Sequence, residues 1–151
     1  MRQLRGAIEI TERKNTLDRR LLRLIEPGFI LSNGALLLKS QAKLAKVKRG
    51  AFPDRTGFEC FVNHTHIEDQ LQGSRPTQEH LLEQGLGFAS TLFGRLSSSF
   101  PDTPVSVILS HSDSGCVVRF HIIREGEKWL ADDLEGYGGE AIFVVSTDQK
   151  R

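Results

Sequence analysis

Hydrophobic and polar positions alternate most regularly in GCVVRFHII, residues 115–123. An extended chain puts Cys116, Val118, Phe120 and Ile122 on one face and Val117, Arg119, His121 and Ile123 on the other. The first set is wholly apolar and the second is mixed. This predicts a central antiparallel strand with one face on the core and the other only partly covered. Glu125-Gly126-Glu127 ends the strand. Residues 128–135 then read as a short helix carrying the only Trp, Trp129, with Asp132, Asp133 and Glu135 behind it.

The strongest helical pattern begins near Thr77. Leu82, Leu86, Ala89, Phe93 and Leu96 recur at steps of four and three, and Leu81, Phe88 and Leu92 widen the stripe to a broad apolar face. Gly85 and Gly87 weaken this helix by about 1 kcal/mol each relative to Ala, and their missing side chains allow a close approach to a sheet. Short apolar runs at 58–62, 105–109 and 141–145 read as further strands, with 111–114 as a hairpin loop and 136–139 as a Gly-rich turn. In the run at 58–62, Phe58, Cys60 and Val62 would face one way and Glu59 and Phe61 the other.

Residues 1–55 are patterned less clearly. A short strand is expected within 1–10, best at Ala7-Ile8-Glu9-Ile10. A helix follows from about Leu17, capped by Asn15 or Thr16, with Asp18 in its first turn and Pro27-Gly28 as its stop. A second helix is expected over 35–47, with Lys39, Lys43 and Lys46 along one side. Residues 50–57 read as a linker. The resulting expectation is an α+β fold of two layers: a mainly antiparallel four-stranded sheet, one long helix packed on a face, and N-terminal helices. A boundary near 55 separates a basic N-terminal helical segment, 1–55, from a core at 56–151, the two forming one compact unit.

Charge sharpens that division. The chain of 151 residues carries a formal net charge of only +1. Residues 1–55 hold 13 Lys/Arg against 5 Asp/Glu, and the remainder holds 7 against 14. Opposite charge on the two parts points either to surfaces with different partners or to mutual attraction. Cys60 and Cys116, the only cysteines, form no disulfide framework and no CxxC pair, which fits a reducing cytoplasm. No stretch of about 20 apolar residues is present to span a bilayer, and no signal-peptide pattern leads the chain.

Several groups bear on chemistry. His64 and His66, two apart and followed by Glu68 and Asp69, are a candidate zinc or iron pair, with His111 or His121 as a candidate third ligand. Ser110-His111-Ser112-Asp113 has the residue types of a nucleophilic triad but the composition of a turn. Cys116 and His121, five apart on a strand, face opposite sides. Lys39, Lys43 and Lys46 form a candidate nucleic-acid surface, but no aromatics are interleaved with them for base stacking. The acidic end is denser: Glu125, Glu127, Asp132, Asp133, Glu135 and Glu140 fall within 16 residues, relieved only by Lys128. Carboxylates at this density must face solvent or a basic partner. Trp129 and Tyr137 would supply buried area in such a contact.

The run FHIIREGEKWLADDLEGYGGEAIFVV (residues 120–145), with the upstream GFECFVNHTHIEDQL and the long helix, resembles small immunity proteins of bacterial contact-dependent growth inhibition systems. The resemblance covers about residues 57–146 and implies a cytoplasmic antidote that binds the toxin domain of a secreted effector, often a nuclease. The expectation is therefore a non-enzymatic toxin inhibitor with no cofactor and no bound metal. It would contact a basic toxin surface through Glu127, Trp129, Asp132, Asp133, Glu135, Tyr137 and Glu140. Neither a membrane nor a nucleic acid is expected as a direct partner. The alternatives are a small metal-dependent enzyme using His64 and His66, or a nucleic-acid-binding module using the basic N-terminal segment.

Overall fold

The computed structural model describes the backbone of residues 2–3 together with residues 17–71, 73, 75–130 and 138–147. The expected strand at 7–10, the caps Asn15 and Thr16, and Asp132, Asp133, Glu135 and Tyr137 lie outside the described residues.

The long helix forms where its periodicity places it. Helix α5 spans Gln78–Ser99, and the Thr77 hydroxyl accepts from the His80 amide at 3.1 Å to cap it. Its buried face carries Leu81, Gly85, Phe88, Ala89, Leu92 and Leu96, while Leu82 and Phe93 are only partly buried. Gly85 is the point of closest approach to the sheet. A Cβ there would sit 2.5 Å from the Cys116 sulfur and 3.0 Å from Leu109, so the sheet packs directly on helix backbone.

The sheet facing α5 has the order β1-β7-β5-β6-β4. Its body is antiparallel: β5 (Val105–Ser112) pairs with both β6 (Gly115–Ile122) and β7 (Ala141–Ser146). Two-residue strands flank it, β1 (Arg2–Gln3) parallel to β7 and β4 (Thr65–His66) antiparallel to β6. The fold is thus α+β with a long helix against a mainly antiparallel sheet. Register puts Val105, Val107 and Leu109 beside Cys116, Val118 and Phe120 on the core face. The β5–β6 connection is only Asp113-Ser114, because the strand continues through His111 and Ser112.

Helix α1 (Arg19–Ile25) starts two residues later than expected, and Asp18 caps it instead of lying in its first turn. The Asp18 carboxylate accepts from the Arg20 amide at 2.8 Å, and its own amide donates to the buried Gln84 side chain of α5 at 2.8 Å. Leu21 and Ile25 enter the same core as Phe88 and Phe120, as do Leu36 and Leu38.

Three expectations are corrected. Residues 35–47 are not a helix: strand β2 (Phe29–Ser32) and strand β3 (Ala35–Leu38) form a hairpin, and only α2 (Lys39–Ala42) is helical beyond it. The cause is Asn33-Gly34, with φ of 51° and 79°, the two positive-φ residues of a tight hairpin turn. Residues 58–62 are not a strand but part of helix α3 (Arg55–Val62). Here the Asp54 carboxylate accepts from the Gly57 amide at 2.7 Å, a cap set inside the expected linker. A single turn of 3₁₀ helix at Arg49–Ala51 precedes it. The short helix α4 (Ile67–Gln70) follows β4. Finally, residues 128–130 are not helical; the rest of the expected Trp helix lies outside the described residues.

Candidate functional site

Helix α3 determines what lies inside and what lies on the surface of this half of the molecule. Thr56, Glu59, Cys60 and Asn63, at helical spacing, are all fully buried. Polar groups in such positions are tolerated only when paired, and here the partners are strand edges. Glu59 accepts from the Leu36 amide of β3 at 2.6 Å and from the Ile122 amide of β6 at 3.1 Å. Asn63 accepts from Leu38 N at 2.9 Å and donates to the Leu36 and Phe120 carbonyls at 2.9 and 3.2 Å. Glu68 continues the line, accepting from Cys116 N at 3.0 Å. Side chains flanking β4 thus extend the closure of the outer edge of β6 beyond the two-residue β4 ladder and join it to the hairpin.

Arg124 completes this seam. Its guanidinium donates to Glu59 at 2.5 Å, to Thr56 Oγ1 at 3.1 Å and to the Gly34 carbonyl at 3.0 Å. Burial pulls the Arg124 group down, but the hydrogen bond and charge of Glu59 outweigh it and leave the guanidinium raised. With both Glu59 oxygens held by amides and a guanidinium, the carboxylate is placed to organise structure. Cys60 and Cys116, each pushed up to about 12 by burial, remain protonated thiols at neutral pH.

The histidines that are candidate ligands in the alternative reading take other partners. His66 Nδ1 lies 3.2 Å from Glu68 Oε1, and His64 Nδ1 donates to the Phe61 carbonyl. Their rings meet edge to face at 5.3 Å. His111 lies 3.1 Å from the Gln78 side chain, and His121 Nδ1 donates to the Ile122 carbonyl at 2.7 Å. Among the described residues no group of three His, Cys, Asp or Glu converges as a metal-ligand set. In the Ser-His-Ser-Asp run, Ser112 Oγ pairs with Ser114 Oγ at 2.7 Å, away from His111.

Among the described residues of the acidic end, Trp129 meets a cation that the sequence does not single out. Arg119, on the non-core face of β6, holds its guanidinium 4.8 Å from the centre of the Trp129 ring. Burial lowers the Arg119 pKa, opposed by the nearby Cys60 and Glu140. The Trp129 indole remains 40% exposed. Glu127 is different. Its carboxylate accepts from the Thr56 amide at 3.2 Å in the first turn of α3, a structural partner at the positive end of that helix. Glu125 and Glu140 are exposed. The one signal in the sequence for Arg119 is a lone cation in the middle of an otherwise apolar strand.

Lysines 39, 43 and 46 do not share a helix face, since α2 ends at Ala42 and the chain continues as a loop. That loop folds back over α3: Ala45 packs with Phe58 on the small cluster of Ala35, Leu37 and Val62.

An α+β scaffold with a long helix on an antiparallel sheet, sealed at one edge by a buried ion pair, is the class that fold and site define. The chain belongs to the uncharacterized protein PM0498 family, whose model matches residues 1–151. No curated protein and no solved structure matches it. Among the described residues, no helix is long and apolar enough to cross a membrane.

Proposed function

We propose that this chain is an immunity protein of the contact-dependent growth inhibition type, a cytoplasmic antidote that binds a cognate toxin domain, in particular a nuclease. Trp129 anchors the contact, and the acidic residues around it choose a basic partner. One observation carries this reading: the indole is 40% exposed and lies against the Arg119 guanidinium, 4.8 Å from the ring centre. An aromatic ordered before binding loses little side-chain entropy on contact, which favours its use as an anchor. Asp132, Asp133, Glu135, Tyr137 and Glu140 follow Trp129 closely in sequence, and Glu140 acts on the same Arg119 through its charge. Carboxylates around an anchor raise the association rate with a basic groove such as that of a nuclease. In this reading Glu127 supports the site from behind through Thr56.

The test is to search the neighbouring reading frames for a toxin-like domain and to co-express the chain with it; absence of any such domain counts against the proposal. The chain restores growth and binds the purified toxin domain. Trp129→Ala weakens binding by roughly 30-fold or more, the loss expected for a hot-spot aromatic. Charge reversal at Asp132 and Asp133 slows association and removes its salt dependence. A chain that neither binds nor protects, or affinity untouched by both changes, refutes the proposal.

A further inference from the structure

The outer face of α3 carries aromatic rings where a surface helix ordinarily carries charge. Phe61 is 42% exposed. It stands in an unbroken row: Phe58 to Phe52 at 5.7 Å, Phe52 to Phe61 at 5.3 Å, Phe61 to His64 at 5.5 Å and His64 to His66 at 5.3 Å. Beside this row runs the loop carrying Lys43, Lys46, Lys48 and Arg49, all exposed, and among the described residues none of the four is in an ion pair. The two features meet: Arg49 and Phe52 line one open cleft of about 480 Å³ together with Asn33, Gly50, Pro53 and Asp54. The one carboxylate in that cleft, Asp54, is occupied in capping α3. The other end of the row is less positive, because Glu68 faces His66.

We infer that this surface binds single-stranded nucleic acid, with Phe61 as the stacking platform for a base and the loop of residues 43–49 as the contact for the phosphates. The exposed Phe61 ring beside unpaired cations supplies the two elements such recognition needs, a π-face that any base can cover and charge that tracks the backbone. An acidic protein would use the cations but leave the ring row without a planar partner. A duplex would present its phosphates while keeping its bases stacked away from Phe61. In sequence the lysines have no aromatics among them; the fold supplies Phe52 and Phe61 from α3 and the turn before it. This inference is independent of the toxin-binding surface at Trp129, and the two fail separately because their variants differ.

The experiment is fluorescence anisotropy of the full chain with a labelled oligothymidylate of about 15 nucleotides. Binding is expected at about 50 mM salt and falls steeply towards about 200 mM. Phe61→Ala, on an exposed side chain, lowers affinity by about tenfold. Phe61→Trp retains binding and gains quenching of its own emission, read in the Trp129→Phe background. Lys46→Glu with Lys48→Glu flattens the slope of log affinity against log salt by about 0.7 for each phosphate that is no longer neutralised. The inference is overturned by any of three results: no binding at low salt, equal affinity for wild type and Phe61→Ala, or a polyglutamate or duplex competitor that displaces the oligonucleotide as well as unlabelled oligothymidylate does.

Discussion

Helices α3 and α5 pack on the same sheet strand, β6, by opposite means. Helix α5 buries Leu81, Phe88, Leu92 and Leu96 against the core face and leaves its polar side to solvent. Helix α3 buries Thr56, Glu59 and Asn63 and turns Phe61 outwards. The difference lies in what each helix meets. Helix α5 meets a strand face, where side chains stand up and apolar area is what can be gained. Helix α3 meets a strand edge, where unpaired amides and carbonyls would otherwise be buried without partners. Against an edge, a carboxylate and a carboxamide seal better than leucine. Phe61, outside both hydrophobic clusters, is free for contact with something else.

The comparison breaks first at Glu59. Glu59→Ala removes the acceptor for two amides and leaves Arg124 half-buried without its counter-charge. The expected loss is about 3–5 kcal/mol, read from urea unfolding monitored by circular dichroism. Replacing Glu59 and Arg124 together by apolar residues should cost less than the sum of the single changes. A loss at Glu59 below about 1 kcal/mol would mean that the edge is sealed by something other than this seam. On the other helix, Leu92→Ala opens a cavity in the core and is expected to cost about 2–5 kcal/mol. Gly85→Ala presses a methyl onto the Cys116 sulfur, 2.5 Å from the new Cβ, and should cost about 1–3 kcal/mol. Truncating Cys116 to Ala in the same chain should recover part of that loss.

The same contrast explains which parts of the fold were legible in the sequence. Helix α5, strands β5, β6 and β7 and the α+β class follow from apolar periodicity, because those elements face apolar neighbours. Helix α3 does not, because its period is carried by Thr56, Glu59, Cys60 and Asn63, three of them polar; Phe58, Cys60 and Val62 alternate as on one face of a strand, with Glu59 and Phe61 on the other. The hairpin was readable from Asn33-Gly34, a stronger local signal than the leucine and lysine run behind it. For the site, Trp129 and Glu140 are legible as an aromatic beside acid, whereas Arg119 is not. Its role depends on the chain after β6 turning back to lay Trp129 over the strand it has just left.

Buried titratable groups sharpen the comparison more gently. Cys116 lies under α5 and Cys60 on α3, and burial pushes both thiols from 9.0 to about 12. Their folded-state pKa lies above the unfolded one, so their contribution is full below pH 9 and is lost as pH rises towards about 12. Unfolding temperature should therefore fall over that alkaline range, and Cys116→Ser should shrink the effect. Neither thiol should react with a disulfide reagent at neutral pH until the chain is unfolded. His121 behaves oppositely: burial lowers it below 6.5, so its contribution is present above that pH and declines below it. His121→Gln should remove part of the acid-side slope.

The smallest expected effect is the most discriminating. Phe61→Ala on the outer face of α3 should change stability by no more than about 0.5 kcal/mol, because its ring contacts, to Phe52 and His64, lie outside the core. The same deletion of an aromatic at Phe88, fully buried on α5, should cost about 3–5 kcal/mol. If Phe61→Ala instead destabilises the chain by more than about 1 kcal/mol, the ring row from Phe58 to His66 is holding the loop of residues 43–52 in place. Its exposure would then follow from packing, and unfolding of that loop, seen as faster amide exchange at residues 43–49, would accompany the loss. If stability is unchanged, nothing in the folded chain requires an exposed phenylalanine there, and the explanation for its position has to come from a ligand.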